Sequence, residues 1–301
     1  MNYYYQQKGS ISPMKANPNF SNLNSDFWGY IRFLGDRLGY SDRKTKSIKI
    51  YSKEEILNCL NEYNLKISDA MLDKIIEYAL YRRKVLNTFV KDHLMDKTKA
   101  ESNFEQYKLN FLKKYSVITS PQPMNKQKGD KRKKAFFTCA INLITENAIN
   151  TYNKSHNTNV TCDYDPHHLT IIEKDDHSGY LKETLSRRFD GAIPALNSPV
   201  SLWEIKEYYY TTSFGSRIAD GVYETLLDGH EIKQIQGKKP IHNFLIDGYF
   251  TWWVQGRSYL CRIIDALNMG YVNEVVFGSE IYDIWYDRIL DFCYQYTSQN
   301  K

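Results

Sequence analysis

Apolar residues recur at helical spacing through the first part of the chain. From Asp26 to about Leu38, Phe27, Tyr30, Ile31 and Leu34 line one side of a predicted helix. Ser52 stands three residues before Glu55, a capping box. It opens a second helix carrying Ile56, Leu57, Leu60 and Tyr63. Ser68 or Asp69 caps a longer helix through Leu72, Ile75, Ile76, Ala79 and Leu80, along which Arg82, Arg83 and Lys84 lie. A further helix covers roughly 100–115. Residues 1–23 have no period and read as an irregular arm. Ser41–Ile50 reads as a basic loop or short strand.

The pattern changes after residue 130. Phe137, Ala140, Ile141, Ile144, Ala148 and Tyr152 mark a helix of about 131–152. Leu169–Ile172, Arg188–Ala195 and Val200–Glu207 are strand-like, the last two parted by Leu196-Asn-Ser-Pro, a turn signal. A helix from about Ser216 to Asp228 carries Ile218, Val222 and Leu226, with Gly229 as its stop. Ile241–Tyr249 is a strand. Ser258 caps a helix bearing Leu260, Ile263, Ile264 and Leu267, stopped by Gly270. Val272–Phe277 is a strand and Glu280–Tyr296 a closing helix. The order is one helix, three strands, then alternating helices and strands. It predicts an α/β or α+β chain with a mixed sheet flanked by helices, behind a mainly helical region.

Length and charge divide this picture. A chain of 301 residues accommodates one large domain or two. Residues 1–134 hold 26 Lys and Arg against 14 Asp and Glu, a balance of +12, and residues 135–301 hold 14 against 21, a balance of −7. The basic half would suit a polyanion. Compositional drift between two domains is the competing explanation. Segment 119–134 has two prolines, a glycine and six basic residues, Lys131, Arg132, Lys133 and Lys134 at its end. It reads as a basic linker between a helical region of 1–118 and a domain of 135–301, and its charge could meet phosphates. The paired helices before it could form a DNA-reading helix-turn-helix or an ordinary bundle with a basic face.

No window approaches the roughly 18 apolar residues of a membrane span. Met1-Asn-Tyr-Tyr-Tyr-Gln-Gln lacks the flanks of a signal peptide. Five widely spaced cysteines without a CxxC argue against disulfides and a zinc ribbon, so a cytoplasmic location without membrane contact is expected. A polar cluster (His156, Cys162, Asp163, Asp165, His167, His168, Asp175, Asp176 and His177) reads as metal ligands or as a solvated loop.

The candidate chemistry lies in Arg187-Arg-Phe-Asp190 and Trp203-Glu204-Ile-Lys206. Side chains alternate along a strand, so Glu204 and Lys206 share a face while Trp203 and Ile205 take the other. A hairpin centred near Asn197 brings Asp190 opposite Glu204, whereas a slip of one residue turns Asp190 away. Two carboxylates beside one ammonium are costly without a partner. A hard cation such as Mg²⁺ resolves that cost, and the lysine could then orient or deprotonate a water. A plain salt bridge from Lys206 to Glu204 or Asp190 is the alternative. Arg187 and Arg188 could meet phosphates or form a strand-edge charge pair. Arg217 could approach the substrate. Glu224 reads as solvated or as a partner of Arg217.

Asp190 followed by Glu204-Ile-Lys206 in this element order resembles the PD-(D/E)xK nuclease superfamily, over about 131–278. Among its branches it is most similar to type II restriction endonucleases. Phe189 stands where the family's proline would precede Asp190. The resemblance implies a restriction-endonuclease-like core. It makes Asp190 and Glu204 metal-binding acids, Lys206 the catalytic lysine and Glu146 an additional acid from the first core helix. It also implies Mg²⁺-dependent hydrolysis of double-stranded DNA, with a homodimer suited to a palindromic site. A structure-specific repair, recombination or RNA nuclease and an inactive DNA-binding protein on the same fold are the alternatives.

Overall fold

A computed structural model describes residues 12–42, 44–127, 131–166, 171–173, 181–195, 198–211 and 215–299. The chain opens with a short strand β1 (Met14–Lys15), α1 (Pro18–Ser21) and α2 (Ser25–Arg37). A small ribbon of β2 (Ser41–Asp42) and β3 (Ser47–Ile48) follows, its turn held by Lys44 and Thr45 amides on Asp42. Next come α3 (Lys53–Glu62) and α4 (Asp69–Val85). The Ser52–Glu55 capping box forms in both directions, at 2.8 and 3.1 Å. Ser68 caps α4. Phe20, Phe27, Trp28 and Tyr78 pack edge to face in the centre of this helical layer.

A wider π-helical turn (Leu86–Val90) and α5 (Lys91–His93) lead to α6 (Lys97–Tyr115) and α7 (Phe136–His156). The strands β4 (Ile171–Glu173), β5 (Leu181–Thr184), β6 (Gly191–Ile193) and β7 (Ser201–Glu207) precede α8 (Ser216–Gln234). The chain ends with β8 (Ile241–Asp247), α9 (Arg257–Asn268), β9 (Glu274–Phe277) and α10 (Ile281–Gln299). The main sheet has the order β1-β9-β8-β7-β6. Strands β7, β8 and β9 run parallel, and β6 and β1 are antiparallel at the edges. Helices α6, α7 and α10 cover one face with Trp203, Ile205, Leu245 and Val276. Helices α8 and α9 cover the other with Phe244, Ile246, Val275 and Phe277. This is an α+β fold with a mixed sheet flanked by helices.

Several expectations change. The amino-terminal arm is not wholly irregular, because Met14 is buried at the β9 edge and Lys15 pairs with Glu274 at 3.3 Å. Four strands, not three, follow α7, and β4 and β5 form a separate ribbon. Helix α8 passes through Gly229 to Gln234. A Cβ at Gly229 would come within 2.1 Å of the Tyr271 carbonyl oxygen, so this glycine permits a close approach rather than a stop. Gly256, not Ser258, stands at the start of α9. Gly270 does end that helix, at φ +71°. Helix α7 starts at Phe136, where its apolar period begins, and not at the expected 131, and it runs on to His156.

Segment 119–134 is tied down over its described residues. The amides of Thr119 and Ser120 meet Glu146, the Asn125 amide donates to Lys133, and Met124 bridges to Lys134. Helix α6 buries Phe104 and Phe111 in the same core as α7 and α10. The helical layer is locked to α9 by a buried ion pair, Arg82 to Asp265 at 2.9 and 3.0 Å, with Tyr78 donating to the same carboxylate at 2.6 Å. Arg82 thus belongs to the interior and not to a basic face. Removing one partner leaves a buried charge uncompensated, at a cost of about 3–5 kcal/mol. Asp265→Ala is expected to lower the urea midpoint accordingly, with Arg82→Met/Asp265→Leu recovering most of the loss. A double variant as damaged as the sum of both single ones would overturn this account of the joint.

Candidate active site

The β6–β7 hairpin pairs Gly191 with Trp203, Ala192 with Leu202 and Ile193 with Ser201. This register sets Asp190 opposite Glu204, as the midpoint argument requires; Asn197 itself lies outside the described residues. Trp203 packs edge to face on Trp285 of α10, with ring centroids 5.6 Å apart. Gly191 makes that placement possible, since a Cβ there would meet the Trp203 ring at 2.0 Å. Glu204 and Lys206 project to the opposite face, under α8. At the end of the ladder the Asp190 amide donates to the Trp203 carbonyl at 3.0 Å. The Ile205 amide, beyond this end of the ladder, donates to Asp190 Oδ2 at 2.7 Å. A side chain thus replaces a backbone rung where β6 has not yet begun, and this anchors the Asp190 carboxyl beside Glu204.

Glu204 is 3% exposed. Its Oε1 takes Lys206 Nζ at 2.6 Å and lies 3.6 Å from Arg187 Nη2. Arg187 turns inward rather than out towards a phosphate. Its Nη1 donates to Asp228 and its Nη2 to Glu224, both at 2.8 Å. Lys206 also stands 3.6 Å from Glu224. The Lys206 stem lies against Gly221 of α8, where a Cβ would come within 2.9 Å of its Cε. Burial, then the like charge of Glu204, pushes the Asp190 carboxyl up to about 7. Burial likewise pushes Asp228 up to about 7, against the pull of Arg187. Burial works against the Lys206 charge, but Glu204 and Asp190 outweigh it and hold the ammonium above its ordinary value.

Two adjacent carboxyl groups, Glu204 buried and Asp190 half-buried and reluctant to ionise, could together hold a divalent cation, whose charge would favour the ionised Asp190 carboxylate. Glu146, the further acid expected from the first core helix, has its own partners. It lies buried in α7 and accepts from the Thr119 amide at 2.9 Å, the Thr119 hydroxyl at 2.5 Å and the Ser120 amide at 2.9 Å. Among the described residues no group of three or more His, Cys, Asp or Glu is arranged to hold a metal ion. Within the polar cluster, His156 is engaged by the Tyr152 carbonyl and the Tyr294 hydroxyl, and Asp163 bridges to Ala192 beside β6. His167, His168, Asp175, Asp176 and His177 lie outside the described residues.

The remaining expected contacts are dispersed. Arg188 is exposed. Arg217 falls in the first turn of α8, and its side chain is outside the described set. Lys131 and Arg132 are exposed, and Lys133 pairs with Glu101 at 3.5 Å. Lys134 accepts the Tyr210 hydroxyl on its carbonyl at 3.1 Å, which brings the basic segment to the end of β7. Sequence reasoning missed Asp228 and the pairing of Glu224 with Arg187 and Lys206. The i,i+4 spacing of Glu224 and Asp228 on α8 is the signal that could have found them. It also missed Glu207. This buried residue points to the core face and accepts the Thr138 amide at 2.9 Å and hydroxyl at 3.0 Å, so it caps α7, which has no capping side chain of its own.

This is the acid–base cluster of an α+β protein with a mixed sheet. The chain belongs to the family described as domain of unknown function DUF7687, whose model matches residues 95–291. A second domain of unknown function, DUF7690, matches residues 14–89, so the two meet near α5. No curated protein and no solved structure matches the chain. None of the described helices is long and apolar enough to cross a membrane.

The buried acids also set the pH response. Burial pushes Asp247 and Glu280 up to about 8 and Glu207 up to about 7. A raised folded-state pKa means that the folded form binds the proton more tightly. The stabilising contribution is complete below the unfolded value near 4 and is lost as pH rises through 7 to 8. Buried His242, pushed down to about 4, acts oppositely and costs stability only as pH falls below about 6.5. Urea midpoints are therefore expected to fall between pH 6.5 and pH 8.5. Asp247→Asn keeps the acceptor for the Met95 and Gly248 amides and should flatten part of that fall. An unchanged slope in this variant would show that Asp247 ionises without cost.

Proposed function

We propose that this protein is a Mg²⁺-dependent endonuclease that hydrolyses phosphodiesters of double-stranded DNA, most nearly a sequence-specific type II restriction endonuclease. The observation that carries this reading is the Asp190–Glu204 pair beside Lys206, on one hairpin and under one helix. The antiparallel β6–β7 hairpin, the α8 crossover and the parallel strand β8 support a restriction-endonuclease-like core of the PD-(D/E)xK kind.

Bound Mg²⁺ would supply positive charge against the phosphate oxygens in the transition state. Asp190 and Glu204 would hold it. Lys206, kept charged by Glu204, would orient the attacking water and offset charge on the phosphate. Arg187 would keep Glu204 and Asp228 in place. Arg188 and the basic segment 131–134 would meet the DNA backbone, with Arg217 at the start of α8 a further contact. A homodimer would suit a palindromic site, and the five unpaired cysteines suit a reducing compartment such as the cytoplasm. One observation favours a second reading, an inactive DNA-binding protein on this fold: Lys206 and Arg187 already neutralise much of the acidic charge. Tight, salt-dependent DNA binding without metal-dependent cleavage would support it.

The decisive measurement is digestion of plasmid and phage DNA with Mg²⁺. The parent should cut, EDTA should stop it, and Lys206→Ala and Asp190→Ala should each lower the rate by about 100-fold or more. Intact DNA across many sequence contexts would sink the nuclease reading. Variants as active as the parent would sink the site assignment alone.

A further inference from the structure

The charges around Glu204 close into a ring of alternating sign. Glu204 holds Lys206 at 2.6 Å, Lys206 stands 3.6 Å from Glu224, Glu224 holds Arg187 at 2.8 Å, and Arg187 stands 3.6 Å from Glu204. Each cation therefore grips one acid and stands within reach of the other. The two acids differ in their surroundings, since the Glu204 side chain is 4% exposed and that of Glu224 is 40% exposed. Arg187 is fixed from its far side by Asp228, a 1% exposed residue. Arg187 in turn keeps the Glu224 carboxylate facing the ring. The Lys206 stem lies against Gly221, and its ammonium stands between Glu204 and Glu224.

We propose that Glu224 is a positioning residue that receives the Lys206 ammonium when Glu204 is given over to a divalent cation. This rests on the metal-dependent reading above. A cation held by Asp190 and Glu204 competes with Lys206 for the charge of Glu204. An ammonium left in a covered site without a partner is costly, and that cost would subtract from metal affinity. Glu224 removes it, because Lys206 remains paired after a small swing and stays beside the acids. Glu224 acts through Lys206 and not as a metal ligand. A ligand would be needed whether or not a lysine is present, whereas an acceptor for the lysine is needed only when the lysine is there.

The test is a double-mutant cycle on the full chain, with Mn²⁺ as the probe and calorimetry as the readout, so that no activity is required. Glu224→Gln should weaken Mn²⁺ binding by about fivefold or more, as expected for a coupled pair. Lys206→Met should bind at least as tightly as the parent. In the Lys206→Met background, Glu224→Gln should change affinity by less than about twofold. Thermal melts report that each variant is folded, and Lys206→Gln takes the place of Lys206→Met in the cycle if the latter does not fold. Equal losses from Glu224→Gln in both backgrounds would overturn the proposal, since they would mark Glu224 as a ligand or as bulk charge. No loss in the parent background would overturn it as well. A folded parent that binds no Mn²⁺ would remove the metal reading itself, an outcome distinct from normal binding without coupling.

Discussion

Charge has to balance in the covered layer between β7 and α8. Asp190, Glu204 and Asp228 are carboxyl groups withdrawn from water, and the energy of an isolated charge there is prohibitive. Lys206 and Arg187 are the counterweights, and Glu224 joins them from the rim of α8. Helix α8 is held over β7 by this balance and by Ile218 and Val222, which pack into the sheet core. Its Glu224 and Asp228 are drawn towards Arg187, and Gly221 gives up a side chain so that Lys206 can lie against the helix. Even with these partners Asp190 stays reluctant to ionise, which is the state a divalent cation would relieve.

The same strand serves a second purpose on its other face. Trp203 and Ile205 enter the core beneath α7 and α10, and Glu207 caps the first turn of α7. Beside it, Asp247 at the end of β8 accepts the Met95 and Gly248 amides and the Tyr209 hydroxyl. One seven-residue strand therefore sets the site on one face and the helix that backs it on the other. A change at Trp203 or Glu207 would be felt at Glu204 through the backbone they share. The Arg82–Asp265 pair and the β1–β9 edge extend this frame to the helical layer. The two family matches meet near residue 90, yet α4 and α9 share a buried ion pair across that boundary.

Much of this was legible in the chain because the signals were local. The Ser52–Glu55 box, the cap at Ser68 and the alternation from Leu202 to Lys206 depend on residues within a few positions of one another. The pairing of Asp190 with Glu204 followed from the turn at its midpoint and needed only the hairpin to form. Expectations failed where a residue answered to something distant. Gly229 looked like a helix stop and serves the approach of Tyr271. Arg82 looked like part of a basic face and is buried on Asp265. Glu146, the acid matched from the first core helix, takes partners 26 and 27 positions away, at Ser120 and Thr119.

By itself, then, the sequence determined the placing of the main helices, the central strands and the face on which Glu204 and Lys206 stand, and it pointed to the register of the β6–β7 hairpin that the structure adopts. Those properties follow from spacing and alternation, which are written along the chain. Only the tertiary structure decided how the charges pair: Arg187 with Asp228 and Glu224, Glu207 with the start of α7, and Asp247 with the Met95 amide. These contacts join residues dozens of positions apart or more, and burial makes each of them obligatory once the layers close. No pattern along the chain records which distant partner a buried charge will meet.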